Sequence, residues 1–277
     1  MTGGSSGIGA ESAARLAEQG AELAIVGRNP DRTRAVADRV GGTPFLADYD
    51  HLDDVHALAD ALLARYDTID VLANNAGGVV SRHAITVDGH ERAIQSNHLA
   101  PFLLTNLLLP RLIASASGGS RVRVVSLASS ANLMGDLRLD DLNWEKRPWL
   151  GGWRAYGTSK VATILFIREL AERLTGTSVD AYSMHPGLVV TRFGDTSPAM
   201  RVARWVTRGH YGIPVAAGAI PLTALAGAAD VGAPSGTYFD RLRPNGRVNP
   251  QAKDAQLGRD LWALSERLVG LGSHQRG

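Results

Sequence analysis

Glycines at positions 3, 7 and 9 limit the folds open to this chain. Gly3, Gly7 and Gly9 lie in the opening segment MTGGSSGIG, and a helical pattern follows from Ala10 to Gly20. Glycines placed in this way let the backbone turn tightly and approach a pyrophosphate at the N-terminus of the following helix. The segment therefore predicts a dinucleotide-binding loop. A flexible Gly/Ser-rich terminus is the alternative, since the spacing is not the commonest dinucleotide fingerprint.

A loop of this kind follows a β-strand in a parallel sheet, and these nine residues leave no room for one. The neighbouring strands would lose the middle of the sheet, with backbone groups unpaired on both sides. We therefore expect a truncated first strand, a native start that lies upstream, and Met1 in the place of an internal residue.

The rest of the chain alternates apolar runs with helical patterns. The predicted strands are 21–26, 43–47, 69–73, 123–127, 179–184 and 236–239. The predicted helices are 30–40, 53–66, 91–113, 156–174, 198–209, 212–225 and 252–269. This alternation predicts an α/β fold with a doubly wound (Rossmann) parallel sheet flanked by helices. With 277 residues, no internal repeat and no dividing linker, we expect a single domain over residues 1–277.

Polar residues stand where the predicted strands end, which is where ligands gather in an open α/β sheet. After the strand 21–26 there is no carboxylate to accept the ribose hydroxyls of NAD. Arg28 can pair a 2′-phosphate there, which favours NADP; a surface arginine at a strand end is the alternative. Asp48 ends the next strand, and Asn75 belongs to a polar loop after another.

Tyr156 and Lys160 are four residues apart at the start of a predicted buried helix, so their side chains share a face. A phenol titrates near ~10 in water, and a neighbouring cation lowers that pKa. Such a tyrosine can exchange a proton with an alcohol or carbonyl oxygen. The pair also occurs in ordinary amphipathic helices, so its weight depends on the surrounding motifs.

Other candidate groups are more ambiguous. Ser129 follows a strand and can hydrogen-bond a substrate oxygen, with Ser126 and Ser130 as alternatives. His185 also ends a strand, but a lone histidine there is more typical of a packed structural residue. Asn97 lies inside a predicted helix, where asparagine often marks a local distortion.

Two connecting segments are long. Residues 132–153 carry Trp144, Trp149 and Trp153, which we expect to anchor the loop, and an Asp140-Asp141 pair that we expect to be solvated. Residues 192–215 are apolar and rich in arginine, and we interpret them as a lid over a hydrophobic substrate. A membrane-surface patch is the alternative for this segment.

Composition argues against several classes of partner and binding site. The net charge is only +2 and the arginines are scattered, so no nucleic-acid partner is expected. There are no cysteines, which favours a reducing, cytoplasmic location and excludes thiolate metal sites. The most apolar run, 99–110, is too short to span a bilayer, so we expect no stable membrane insertion. No cluster has metal-ligand spacing, and no metal is predicted.

Taken in order, these motifs resemble the short-chain dehydrogenase/reductase family over essentially the whole chain. They are TGGSSGIG at 2–9, NNAG at 74–77, Ser129, Tyr156 with Lys160, and Pro186-Gly187. The chain is similar to the retinol dehydrogenase and WW-domain oxidoreductase branch through DDLNW at 140–144, NHL at 97–99, GTYF at 236–239 and LWALSE at 261–266.

The resemblance implies an NADP(H)-dependent oxidoreductase that interconverts an alcohol with an aldehyde or ketone. Tyr156 would be the acid/base, Ser129 would position the reacting oxygen, Lys160 would bind the nicotinamide ribose and lower the tyrosine pKa, and Asn97 would support a proton relay. Asp48 would contact the adenine, Asn75 the adenosine side, and Val189 and Thr191 the nicotinamide carboxamide. The implied cofactor-binding residues are Gly3, Ser5, Ser6, Gly7, Ile8, Gly9, Arg28, Asn29, Asp48, Asn75, Ala76, Gly77, Lys160, Pro186, Gly187, Val189 and Thr191.

Two other functions stay open at this point. One is a non-catalytic NADP sensor, which the intact set of Ser129, Tyr156 and Lys160 opposes. The other is a sugar-nucleotide epimerase or dehydratase, which the NNAG segment and the short C-terminal region oppose.

The helices 91–113 and 156–174 also offer a surface for pairing between subunits of a homo-oligomer.

Overall fold

The computed structural model describes residues 1–117, 121–189 and 212–271. Its strands are β1 (Ala24–Gly27), β2 (Thr43–Leu46), β3 (Val71–Asn74), β4 (Val122–Leu127), β5 (Val179–His185), β6 (Tyr238–Asp240) and β7 (Arg243–Pro244). β1 pairs with β2, and the other strands follow in the order β3-β4-β5-β6-β7. All pairs are parallel except β6 with β7, an antiparallel edge that the sequence did not predict.

Met1 and Thr2 join the two groups of strands. Thr2 forms a parallel bridge with Val26, and its N–H donates to the carbonyl of Ala73 at 3.0 Å. The α-amino group of Met1 donates to the carbonyl of Ala24 at 2.9 Å, and burial lowers its pKa to about 6. A single bridged residue therefore stands between the two groups of strands at the centre of the sheet.

The helices lie within a few residues of their predicted bounds. They are α1 (Gly7–Glu18), α2 (Pro30–Val40), α3 (Leu52–Arg65), α4 (Arg92–Ala116), α5 (Trp153–Arg173), α6 (Val215–Gly227) and α7 (Ala255–Leu268). The segment Gln95–Leu99 within α4 is a π-helix. The predicted helix 198–209 and the part of the predicted lid between 192 and 211 lie outside the described residues.

Helix α4 is a core element of the fold. Among the described helices it alone is long and apolar enough to cross a membrane, but 61% of its most apolar window is buried inside the protein. Phe102, Leu103 and Leu104 on this helix are fully buried in the main hydrophobic cluster, which also includes residues of α3, β4 and α5. The length and the apolar composition of α4 are therefore explained by its packing inside the protein.

The closing helix α7 covers the groove between α4 and α5. The Trp262 ring lies 4.9 Å from that of Phe102 and 5.8 Å from that of Phe166, measured between centroids. The guanidinium of Arg173 stacks 4.2 Å from the Trp262 centroid. The helices 91–113 and 156–174 were offered for pairing between subunits, and one side of each packs against α7 of the same chain. A homo-oligomer stays a prediction.

The long loop that precedes α5 is held by a buried ion pair. Arg147 Nε lies 2.7 Å from Asp141 Oδ2, and the two side chains are only 6% and 2% exposed. The same guanidinium stacks 3.7 Å from the Trp144 centroid. The expectation that Asp141 is solvated was wrong, because adjacent positions in a folded loop can face opposite environments. Trp149 anchors the loop through Nε1, which donates to the Ser81 carbonyl at 3.0 Å.

Candidate active site

The glycine loop forms a tight cradle at the N-terminus of α1. Gly3 and Gly7 have φ values of +61° and +54°, which favour glycine. A Cβ on Gly9 would lie 2.4 Å from the Gly3 carbonyl oxygen, so no side chain fits there. The N-cap residue Ser6 makes no side-chain capping bond to the first turn of α1. Backbone N–H groups at such a helix end suit an anion, and a pyrophosphate fits this cradle.

The polar loop after β3 is tied directly to the glycine loop. Thr2 Oγ1 accepts hydrogen bonds from the N–H groups of Asn75 and Ala76, both at 3.1 Å. Asn75 Nδ2 donates to the carbonyls of Thr2 at 2.9 Å and Gly3 at 3.1 Å. The amide nitrogen of Asn75 thus shapes the cradle, and the adenosine-side contact implied by the resemblance stays a prediction.

The ends of β1 and β2 lie beside this cradle. A Cβ on Gly27 would lie 2.8 Å from Ser5 Oγ, so the glycine loop crosses closely over the end of β1. Arg28, the next residue, is exposed. Asn29 caps α2 by accepting from the N–H of Arg32 at 2.9 Å. At the end of β2, the Asp48 carboxylate accepts from the N–H of Asp50 at 3.2 Å.

Ser129 and Tyr156 meet at the carboxyl edge of the sheet. Tyr156 is 4% exposed, and its hydroxyl shares a hydrogen bond with the Ser129 side chain. Ser126, the first alternative, is buried on β4, where its hydroxyl accepts from Asn74 Nδ2 at 3.4 Å. Ser130, the second, is exposed. The geometry therefore favours Ser129 of the three serines.

Lys160 lies beside this pair, but the pKa of the Tyr156 phenol is raised and not lowered as the spacing predicted. Its Nζ donates to the carbonyl of Leu127 at 2.7 Å and lies 5.5 Å from the centroid of the Tyr156 ring. Burial lowers the pKa of Lys160 to about 7. Burial raises the pKa of Tyr156, and the hydrogen bond with Ser129 only opposes that rise. Desolvation outweighs the neighbouring cation because both groups are enclosed and the ammonium binds a backbone carbonyl.

Asn97 lies in the π-helical segment and clamps the loop after β3. Its Oδ1 accepts from the N–H of Gly78 at 2.8 Å, and its Nδ2 donates to the Gly78 carbonyl at 2.9 Å. A Cβ on Gly77 would lie 2.4 Å from Asn97 Oδ1 and 3.6 Å from Lys160 Nζ. π-Helical turns of this kind occur frequently at functional sites. The structure thus brings Asn97 and Lys160 together at Gly77 and Gly78.

The segment that follows β5 completes the carboxyl edge of the sheet. Pro186 is buried, and Gly187 has a φ of +98° that favours glycine. Val189 forms a parallel bridge with Ile213. Thr191 lies outside the described residues. Burial lowers the pKa of His185, whose Nδ1 is enclosed without a hydrogen-bond partner in the part of the chain that the structure describes.

Sequence reasoning missed two asparagines that hold the serine. Asn132 Nδ2 donates to the Ser129 carbonyl at 2.7 Å. Asn249 reaches this loop from 117 residues further along the chain, donating from its backbone N–H to Asn132 Oδ1 at 2.8 Å and from Nδ2 to the Gly135 carbonyl at 2.8 Å. No local pattern links positions so far apart, so only the tertiary structure reveals this clamp.

Comparisons with known proteins agree with this geometry. A short chain dehydrogenase family profile matches residues 1–136. Human retinol dehydrogenase 13 is 35% identical over 287 residues, covering 98% of this chain and 84% of that protein.

Two solved structures share the fold. The Pseudomonas aeruginosa RhlG/NADP active-site complex is 26% identical with a TM-score of 0.66, covering 93% of this chain and 94% of that one. The 3-ketoacyl-(acyl-carrier-protein) reductase from Brucella melitensis, complexed with NADH, is 23% identical with a TM-score of 0.68, covering 86% of this chain and 93% of that one. The chain therefore belongs to the short-chain dehydrogenase family, is retinol dehydrogenase-like, and is an NAD(P)-dependent oxidoreductase that acts on CH–OH groups.

Proposed function

We propose that this chain interconverts a hydrophobic alcohol with its aldehyde or ketone, using NADP(H) and Tyr156 as the general acid/base. The observation that carries the proposal is the hydrogen bond between Tyr156 and Ser129, with Lys160 alongside, at the edge of the sheet where the glycine cradle lies. This set of side chains has no evident use in a protein that only senses a nucleotide.

The residues present fit a dinucleotide. The cradle of Gly3, Gly7 and Gly9 would hold its pyrophosphate, and Arg28 would hold a 2′-phosphate. When bound, the nicotinamide supplies a hydride in reduction and accepts one in oxidation. The rest of the chemistry falls to the chain's own side chains, which orient the reacting oxygen and move a proton.

The protonation states suit proton donation. Because burial raises the pKa of Tyr156, the side chain is a neutral phenol near pH 7 and can donate its proton to a carbonyl oxygen. The Ser129 hydroxyl, which already bonds the phenol, would hold that same oxygen. Lys160, with a pKa lowered to about 7, exchanges protons at neutral pH and can return one toward the tyrosine.

An apolar wall beside Tyr156 supports a hydrophobic substrate. Val79 and Ala131 pack with the Tyr156 ring, and the Trp153 ring lies 6.0 Å from it at an interplanar angle of 88°. The loops that leave this edge also expose large apolar side chains, namely Leu133, Met134, Leu150 and Leu188. Apolar lining with a few convergent polar groups is typical of small-molecule sites.

The test is a panel of aldehydes and ketones of increasing apolar size, assayed with NADPH. We expect substrate-dependent oxidation of NADPH and formation of the matching alcohol, with kcat/KM rising with apolar size. NADPH binding without turnover of any carbonyl would favour the sensor. NADP that stays bound through turnover, with no net oxidation, would favour the epimerase or dehydratase.

Arg28→Ala is expected to lower the kcat/KM ratio for NADPH over NADH by about 10- to 100-fold, because a charge-assisted hydrogen bond contributes about 1.5–3 kcal/mol. The measurement is kcat/KM for both cofactors with one carbonyl. Arg39→Ala is the matched control, since Arg39 is also exposed but lies in the last turn of α2. An unchanged ratio in Arg28→Ala would remove this residue from the cofactor site.

A further inference from the structure

Two motifs of the sequence, residues 97–99 and 261–266, meet inside the molecule. His98 Nε2 lies 2.8 Å from Ser265 Oγ, although the two residues are 167 positions apart. Both are buried, with exposures of 1% and 0%. His98 follows Asn97 in the π-helical segment, whereas Ser265 lies on α7. The closing helix is therefore bonded directly to the segment that carries a candidate active-site residue.

The donor in this hydrogen bond is the histidine. The hydroxyl of Ser265 donates its one hydrogen to the carbonyl of Leu261 at 2.7 Å, so its oxygen accepts from His98 Nε2–H. His98 is consequently the Nε2–H tautomer. Its ring packs beside those of Phe102 and Phe166, at centroid distances of 6.0 and 6.2 Å. Burial in these apolar surroundings lowers the pKa of His98 to about 3, which keeps the ring neutral.

Three side chains of the π-helical segment are each bonded to a different part of the chain. Gln95 Nε2 donates to Asp88 Oδ2 at 2.7 Å. Asn97 clamps Gly78 through two hydrogen bonds, and His98 donates to Ser265. A π-helical turn is rare and is retained where surrounding contacts over-determine it. Removing one contact gives the segment freedom to relax toward regular α-helix, which rotates the following side chains.

We propose that Ser265 and His98 are positioning residues, which hold the π-helical segment in the register that lets Asn97 clamp Gly78 beside Lys160. Neither residue touches the reacting groups. They act through Asn97. Their effect on turnover rests on the proposed function, whereas their effect on the hydrogen bonds between Asn97 and Gly78 does not. Helix α7 thereby becomes part of the catalytic framework and not only a cover for α4 and α5.

The experiment compares Ser265→Ala with Ser265→Thr, which keeps the acceptor oxygen. Hydrogen exchange at the Gly78 amide reports directly on the Asn97 clamp, and kcat and KM are measured with NADPH and one carbonyl. We expect Ser265→Ala to accelerate exchange at Gly78 and to lower kcat, each by about tenfold, the effect of one lost hydrogen bond, with KM little changed. Ser265→Thr should restore both quantities.

Ser115→Ala is the control, because Ser115 is a buried serine near the C-terminal end of α4, away from the π-helical segment. Its hydroxyl accepts from the N–H of Ile69 and donates to the carbonyl of Arg111. Ser265→Cys keeps the shape of the side chain but offers a weaker acceptor, and it replaces Ser265→Ala if that variant does not fold.

Unchanged exchange at Gly78 and unchanged kcat would overturn the proposal. So would an equal acceleration in Ser115→Ala, which would indicate general loosening. If the wild-type protein turns over no carbonyl yet Ser265→Ala selectively accelerates exchange at Gly78, the positioning role stands and the proposed reaction fails.

Discussion

Tyr156→Phe is expected to lower kcat by about 10²- to 10⁴-fold, the usual contribution of a positioned general acid/base. The substitution removes only the hydroxyl. The ring, which is 4% exposed and packs against Val79, Ala131 and Trp153, retains its contacts. The cradle around Gly3 and Gly9 is untouched, so NADPH should bind as in the wild type.

Single-turnover kinetics and a fluorescence titration with NADPH separate these two effects. Tyr182→Phe is the matched control, because Tyr182, in β5, is also buried. Its hydroxyl donates to the carbonyl of Ala233 at 3.2 Å. It should cost about 1 kcal/mol of stability, the value of one hydrogen bond, without a loss of kcat. Undiminished turnover in Tyr156→Phe would refute its role, and an equal loss in both variants would indicate general damage.

Local spacing was sufficient to predict the main parts of the candidate site. The glycine loop, Tyr156 with Lys160, and Ser129 lie within short motifs whose backbone geometry depends on nearby residues. Placing them at strand ends then followed from the order of strands and helices, because the carboxyl ends of parallel strands share one edge. The fold class could be predicted for the same reason.

The electrostatics of the site could not be predicted from spacing. A separation of four residues places Lys160 beside Tyr156, but it does not say how deeply either group is buried. The structure shows that enclosure raises the pKa of Tyr156 and lowers that of Lys160. The sign of each shift depends on residues from other elements, among them Leu127, whose carbonyl accepts from the ammonium.

Contacts between segments that are distant in the sequence could not be predicted either. The clamp of Asn249 on Asn132 and the bond of Ser265 to His98 each join elements more than a hundred residues apart. The sequence around Asn249 predicts only a turn, and the sequence around Ser265 predicts only a helix. Their roles come from the packing of the C-terminal region on the site, which a periodicity pattern does not encode.

Helix α5 approaches the serine loop, residues 129–134, closely, and we therefore expect the second large effect in Gly157→Ala. A Cβ on Gly157 would lie 2.4 Å from the carbonyl oxygen of Ala131, in the 3₁₀-helix Ser130–Met134 that follows Ser129. Because the obstacle is backbone, the two elements must separate. Overpacking of this kind costs about 1–3 kcal/mol. A displacement of about 1 Å between Tyr156 and Ser129 would lower kcat by about 10²-fold.

The same substitution elsewhere should have the opposite effect on stability. A Cβ on Gly258, in α7, would lie at an ordinary contact distance of 3.7 Å from Leu165 Cδ2. Gly258→Ala is therefore expected to stabilise the protein by about 0.5–1 kcal/mol, because alanine loses less backbone entropy in a helix, and to leave kcat unchanged. Denaturant unfolding and kcat measured on both variants check the pair. A wild-type kcat in Gly157→Ala would show that turnover does not depend on the contact between α5 and the serine loop, and with it the proposed pairing of Ser129 and Tyr156 would lose its structural basis.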